Sequence, residues 1–256
     1  MLRLIAASLC LLLPLSTQAD EAVVLGLSQN RVAITANFDG SEILVFGAVK
    51  REKAIPEGDP IEVVVAVSGP STPITVRRKE KRFGIWVNTE SVTIDGAPSF
   101  YAVATSAPLR DVLAVDEDIV NRVSIENAID SIGARFEKAD APKFAEAIAR
   151  IRTDNGLYSV QEGAVDVAEQ TLFRTSIAMP ANLTEGDYAT RVFLTRAGKV
   201  ISQYETTIDV RKVGLERWLF NLSRQQPLIY GLLSLAIAII AGWAASAFFR
   251  FVRHGA

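Results

Sequence analysis

Apolar residues recur along this chain with three different periods, and each period predicts a different kind of element. The longest apolar run, residues 228–249, reads LIYGLLSLAIAIIAGWAASAFF and contains no charge. At about 1.5 Å rise per residue it spans roughly 30 Å, the thickness of a bilayer's hydrocarbon core. It predicts one transmembrane helix near the C-terminus, with Tyr230 at the outer interface and Arg250 and Arg253 just beyond the other end.

Between residues 20 and 106 the pattern alternates with period two, as half-buried strands do. Val23, Leu25 and Leu27 share one face; Val32, Ile34, Ala36 and Phe38 share another and stop at the turn pair Asp39-Gly40. Residues 42–50 are almost continuously apolar and predict a strand buried on both faces. Residues 61–68 form a valine-rich strand that ends at Gly69-Pro70. Residues 74–78 and 83–87 flank a charged tip, Arg77-Arg78-Lys79-Glu80-Lys81-Arg82. Residues 91–94 and 100–105 close the region. Seven or eight short strands punctuated by turns predict an immunoglobulin-like sandwich. The charged tip reads either as a contact for anionic lipid or an acidic partner, or as a solvated hairpin end that discourages edge pairing.

From residue 107 to 154 the period lengthens toward that of a helix. Ile125, Ala128, Ile129 and Ile132 fit one face, with Gly133 as a stop. Asp140 predicts an N-cap, after which Phe144, Ala147, Ile148 and Ile151 form a second stripe. Asp116-Glu117-Asp118 lacks the spacing of a calcium loop and reads as a solvated helix start. Alternation returns over residues 155–213. It predicts a strand over 172–179 and a hairpin of 188–196 with 199–210 across Ala197-Gly198, with Val200, Tyr204, Ile208 and Val210 facing inward. Gly186-Asp187-Tyr188 has the look of a tyrosine corner, in which the phenol bonds back to the backbone. Leu215, Trp218, Leu219 and Leu222 give a short amphipathic stem over residues 214–227. Inside the span Ser234, Ala238, Gly242 and Ser246 recur every four residues, a small-residue face along which another helix could approach.

The fold class expected is therefore mainly β: two immunoglobulin-like sandwich regions (20–106 and 155–213) joined by a short two-helix segment (107–154), plus one C-terminal transmembrane helix and a tail at 250–256. The first 19 residues have the anatomy of a secretory signal: Arg3, an apolar run over residues 4–15, and small residues before Ala19-Asp20. Pro14 and the short run argue against an uncleaved anchor, and Leu9 before Cys10 spoils a lipobox. The orientation that follows is a bacterial inner-membrane protein with a periplasmic N-terminal region and a cytoplasmic C-terminus.

Composition narrows the chemistry. A formal net charge of −2 gives no case for nucleic acid. The single cysteine, Cys10, lies in the signal, and the single histidine, His254, lies in the tail. The exported region thus has no His or Cys for a zinc site, for Ser–His–Asp or Cys–His nucleophiles, or for ligation of haem or iron–sulfur clusters. Carboxylate pairs and all-oxygen calcium sites stay open. No catalytic, cofactor-binding or metal-ligating residue is singled out, and no cofactor is expected.

Several stretches together resemble the putative transmembrane protein family of alphaproteobacteria. They are residues 77–109, Phe38-Asp39-Gly40 with Val45-Phe46-Gly47, Gly156-Leu157-Tyr158 with Leu172-Phe173-Arg174, Gly186-Asp187-Tyr188, and Tyr230-Gly231 at the start of the span. The resemblance covers nearly all of the chain beyond the signal. It implies a signal, a periplasmic region and one C-terminal span, and brings no activity. Proximity to sulfite-exporter-like permeases, which it also implies, suggests an accessory role in transport.

Three functions are compatible with these features. The leading one is a non-catalytic interaction or accessory module, meeting the lipid bilayer and a membrane-protein partner or a second copy through Ser234, Ala238, Gly242 and Ser246. A periplasmic small-anion binder, using the Arg-rich tip or a groove between the β regions, is the second. A carboxylate-dependent hydrolase is a remote third. The topology predicts that a reporter active only in the cytosol will be active when fused after Ala256; activity confined to the exterior overturns it.

Overall fold

The computed structural model describes residues 21–254 except 36, 53, 56, 57 and 131–140. The signal, Ala36, Ile132, Gly133 and the Asp140 cap fall outside the described residues. The chain is mainly β, about half of it strand, with few helices and one C-terminal apolar helix.

Its first part supplies β1 (Ala22–Leu27), β2 (Arg31–Ile34), β3 (Gly40–Lys50), β4 (Glu62–Ser68), β5 (Ser71–Arg82), β6 (Ile85–Pro98) and β7 (Tyr101–Thr105). The helical segment holds α1 (Leu109–Val112), α2 (Val115–Asn121), α3 (Ile125–Asp130) and α4 (Ala141–Asp154), two more pieces than periodicity predicts. The remainder supplies β8 (Tyr158–Gln161), β9 (Asp166–Ala168), β10 (Leu172–Pro180), β11 (Gly186–Arg196) and β12 (Lys199–Lys212), then α5 (Leu215–Gln225) and α6 (Pro227–His254).

The two β-rich regions pack as one unit. One sheet runs β1-β3-β10-β9 and the other β2-β12-β11-β4-β7-β8. Both therefore contain strands from the first and the second region. β3 lies antiparallel between β1 and β10, with Val45 opposite Leu27 and Thr175. β4 lies between β11 and β7, with Val65 opposite Val192 and Ala104.

The six-stranded sheet is a middle layer. Odd-numbered Val63, Val65 and Val67 of β4 join Val192, Leu194, Ala102 and Ala104 in the core facing the four-stranded sheet. Val64 and Ala66 point the other way, into a second core with Phe193, Tyr101, Val103, Ile129 and Ile148 under the helices. β4 thus reads as an unbroken valine run because both its faces leave water. Residues 42–50, expected to be buried on both faces, are not: Ile43, Val45 and Val49 are buried while Leu44 and Phe46 are each 43% exposed. β3 belongs to an outer layer, and among the described residues no helix covers its even positions.

Turn chemistry holds the long hairpins. Ala197 (φ 49°) and Gly198 (φ 78°) both take the left-handed conformation that a two-residue turn of this hand requires. A register shift after Leu194 moves Val200 out of the main core and onto the helix side, although Ile208 and Val210 face inward as expected. Tyr204, also expected inside, is 41% exposed and lines an open depression at the sandwich edge. The Tyr188 phenol donates to the Thr184 carbonyl at 2.7 Å, four residues back, so the corner foreseen at Gly186-Asp187-Tyr188 has the expected bond.

Gly47 marks where the outer sheet is tightest. A Cβ there would lie 2.5 Å from the Val24 carbonyl oxygen and from the Phe173 ring. Gly47→Ala is expected to destabilise the fold by about 2 kcal/mol through overpacking. Chemical denaturation measures this, and an unchanged midpoint contradicts the packing.

Candidate functional site

The charged run 77–82 is not the tip of its hairpin. β5 and β6 pair from Ser71 opposite Pro98 to Arg82 opposite Ile85, with register shifts at Thr72/Ile74 and Arg78/Lys79, and the turn is Phe83-Gly84. The pairing extends because the cations alternate faces along a strand rather than crowding in a loop. Near its root the hairpin packs Ile74, Val76, Val92 and Ile94 into the helix-side core. Farther out, Arg78 lies 5.3 Å from the Phe144 ring centroid and 2.9 Å from Glu90. Every residue from Lys79 to Trp86 is exposed. Phe83, Ile85 and Trp86 are 106%, 64% and 68% exposed.

A buried ionic cluster escaped the sequence reading. Glu21, just before β1, extends the β1–β3 ladder toward Arg51, just after β3. The Arg51 Nε–H donates to Glu21 Oε1, and its Nη2 donates to the Gln170 carbonyl. Arg196, at the end of β11 in the opposite sheet, brings Nη2 to 2.9 Å from Glu21 Oε2. The Glu21 and Arg51 side chains are 2% and 8% exposed. Burial pushes the Glu21 carboxyl upward, but the hydrogen bonds and charges of Arg51 and Arg196 outweigh it and hold the group below its ordinary range. No local signal could reveal this cluster, because its members lie up to 175 residues apart.

A second polar arrangement docks the helices. The Arg191 guanidinium donates to the carbonyls of Asn121 (2.7 Å) and Arg122 (3.0 Å) at the C-terminal end of α2. The Tyr101 hydroxyl donates to Val123 O at 2.8 Å, and burial pushes that phenol up to about 12. Asp116, Glu117 and Asp118 occupy the first turn of α2. Asp118 also accepts from Val123 N, Ser124 N and Asn127 Nδ2, so it ties α2 to α3. These are structural duties.

Open surfaces offer little convergent chemistry. A depression of about 410 Å³ is lined by Leu25, Leu27, Gln29, Asn30, Tyr204 and Thr206, and one of about 530 Å³ by Asp39, Ser41, Glu42 and Met179 among others. The groove expected between the two β regions is filled by paired strands. Among the described residues no group of three His, Cys, Asp or Glu side chains is placed to hold a metal. Asp187 and Asp209 face each other across β11 and β12, and Arg211 bridges both. Desolvation acts upward on Asp209, but Arg211 and Arg31 hold it below its ordinary range. This is an ion-pair network rather than an acid and base set across a cleft.

The far end of the chain is α6. Within it, residues Pro227–Ser246 are long and apolar enough to cross a membrane, with a mean hydropathy of 2.1 and none of the span buried against the rest of the protein. Ser234, Ala238, Gly242 and Ser246 are all exposed, and the Ser234 hydroxyl donates to Tyr230 O of its own helix. The family described as Putative transmembrane protein (Alph_Pro_TM) matches residues 22–251. The chain belongs to this family. The match takes in the sandwich, stem and candidate span of this transmembrane protein as one unit. No curated protein matches it. In three dimensions the chain aligns with Spo0M, a sporulation control protein from Bacillus subtilis, at 11% identity. That alignment covers 80% of this chain and 56% of the other, with a TM-score of 0.29, too low to carry an argument.

The ionic cluster makes the transmembrane protein's sandwich sensitive to acid. Because the Glu21 pKa is lowered on folding, its contribution is complete above the ordinary value of 4.5 and is lost as pH falls through the lower folded value. Glu21→Gln, which leaves two buried guanidinium groups facing a neutral amide, is expected to cost about 3 kcal/mol at neutral pH. It should also remove that part of the acid dependence. Denaturant midpoints against pH test both; parallel profiles for variant and parent contradict the assignment.

Proposed function

We propose that this transmembrane protein is a non-catalytic interaction or accessory module, anchored by α6 in the bacterial inner membrane, with its sandwich in the periplasm and its tail in the cytosol. The observation that carries the reading is the outer face of the four-stranded sheet. There Val24, Leu44, Phe46 and Leu172 are 55%, 43%, 43% and 56% exposed. Two rows cross three strands: Val24, Ala48 and Leu172, and beside it Gly26, Phe46 and Arg174. An apolar sheet face of this kind, rimmed by charge, is characteristic of a protein contact.

Two further features support it. Signal anatomy and the apolar helix support a sandwich held close to the membrane, within reach of a membrane partner, and the exposed Ser234–Ala238–Gly242–Ser246 stripe offers a contact within the bilayer. The partner proposed is a membrane protein, with a transporter as the class that the sequence resemblance suggests. The Tyr188 corner supports reading the sandwich as immunoglobulin-like, an architecture that serves contact in many settings.

Crosslinking in native membranes, followed by purification of the full chain, tests the proposal. Wild-type protein is expected to retain a membrane-protein neighbour that Leu172→Glu loses, while the variant's far-UV spectrum and melting temperature stay unchanged. An identical set of neighbours in both, or none in either, overturns it.

A further inference from the structure

We propose that the β5–β6 hairpin is a second membrane contact: its tip enters the interface of a bilayer carrying anionic lipid, while α6 anchors the chain elsewhere in the same membrane. The hairpin reaches beyond what the interaction module requires, and three observations bear on it. The first is the tip itself. Phe83 has φ 51°, a left-handed conformation that glycine or asparagine normally supplies in such turns, yet its ring is fully exposed. A bulky aromatic there adds backbone strain and apolar exposure together, and among the described residues it packs on nothing that would offset either.

The second is the distribution of side chains behind the tip. After the register shift at Arg78/Lys79, Lys81 pairs with Trp86 and Arg82 with Ile85. Each face of the ribbon therefore carries an apolar residue at the end and a cation beside or behind it. Residues 77–82 hold five cations and one acid. Aromatic and aliphatic groups at a tip, with lysine and arginine set back from it, match the depth profile of a bilayer interface, where rings sit among headgroups and cations meet phosphates. An acidic protein groove would satisfy the cations but gives no reason for a fully exposed Phe83.

The third is placement. A Cβ on Gly186 would lie 2.7 Å from the Pro70 ring, at the root of the hairpin. Gly186 is paired with Val210, two residues before β12 ends and the chain leaves through Gly214 for α5 and α6. The hairpin and the membrane stem thus start from the same end of the six-stranded sheet. Between Lys79 and Phe83 the ribbon extends roughly 13 Å, enough to span a headgroup layer.

The test uses the full chain with Cys10→Ser, which removes the one native thiol. A single cysteine then carries an environment-sensitive fluorophore at Phe83→Cys, at Ile239→Cys within the span, or at Glu205→Cys on the exposed body. The proteins are reconstituted in phosphatidylcholine vesicles with or without phosphatidylglycerol and containing a headgroup-proximal spin-labelled lipid or one labelled deep in its acyl chain. The proposal expects the label at 83 to shift to the blue and to be quenched by the shallow lipid when phosphatidylglycerol is present. Each of Lys79→Glu and Lys81→Glu is expected to weaken that response by at least about fivefold, the effect of one cation near an anionic surface. The label at 205 should stay in water. An unquenched label at 83 in both compositions overturns the proposal, as does a blue shift without lipid quenching, which would mean packing against protein. The label at 239 reads the span separately: quenching by the deep lipid at 239 with none at 83 removes the hairpin contact alone, and quenching at 83 with none at 239 removes the span and leaves the hairpin contact standing.

Discussion

Two-sided burial of β4, β7 and β11 is the constraint on which the rest of the structure depends. Three adjacent strands place apolar side chains on both faces, so each face needs a cover. The four-stranded sheet supplies one, through Ile43, Val45, Phe173 and Ile177. The helices and the root of the β5–β6 hairpin supply the other, through Val112, Ile129, Ile148 and Ile94. The helical segment is therefore a layer of the domain rather than a spacer. Its docking is made specific by the Arg191 and Tyr101 bonds to the end of α2, since apolar contact alone does not select one seating of a helix.

Charge is used at two depths. Near the outer edge of the sandwich Glu21, Arg51 and Arg196 exclude water and join the two sheets where their strands begin and end. A buried trio of this sort contributes more to a single arrangement than to raw stability, because desolvation offsets much of the attraction. On the hairpin Lys79, Lys81 and Arg82 lie at the surface, where charges contribute little to folding.

Much of this was legible locally. Val23, Val32 and Ile208 announce their faces by alternation; Ala197-Gly198 announces its turn; Tyr188 announces its corner; residues 228–249 announce an apolar helix. What stayed hidden depends on partners distant in sequence. Nothing near residues 42–50 says that the strand lies in an outer layer, so Leu44 and Phe46 looked buried when they are half exposed. Nothing near Val200 shows the register shift that turns it to the other face. The charged run at 77–82 looked like a loop because density of charge was read as a break, whereas strand alternation tolerates it. Glu21, Arg51 and Arg196 are three ordinary strand-end charges until the fold brings them together.

The interleaving of early and late strands also sets when this domain can close. β3 lacks one neighbour until β10 exists, β4 lacks one until β11 exists, and β2 joins its sheet only through a parallel pairing with the last residues of β12. Such distant pairings make assembly slow and leave the growing polypeptide open for most of its synthesis. The apolar helix follows directly on this last pairing, so the sandwich can close only once the chain has been made almost to its candidate span.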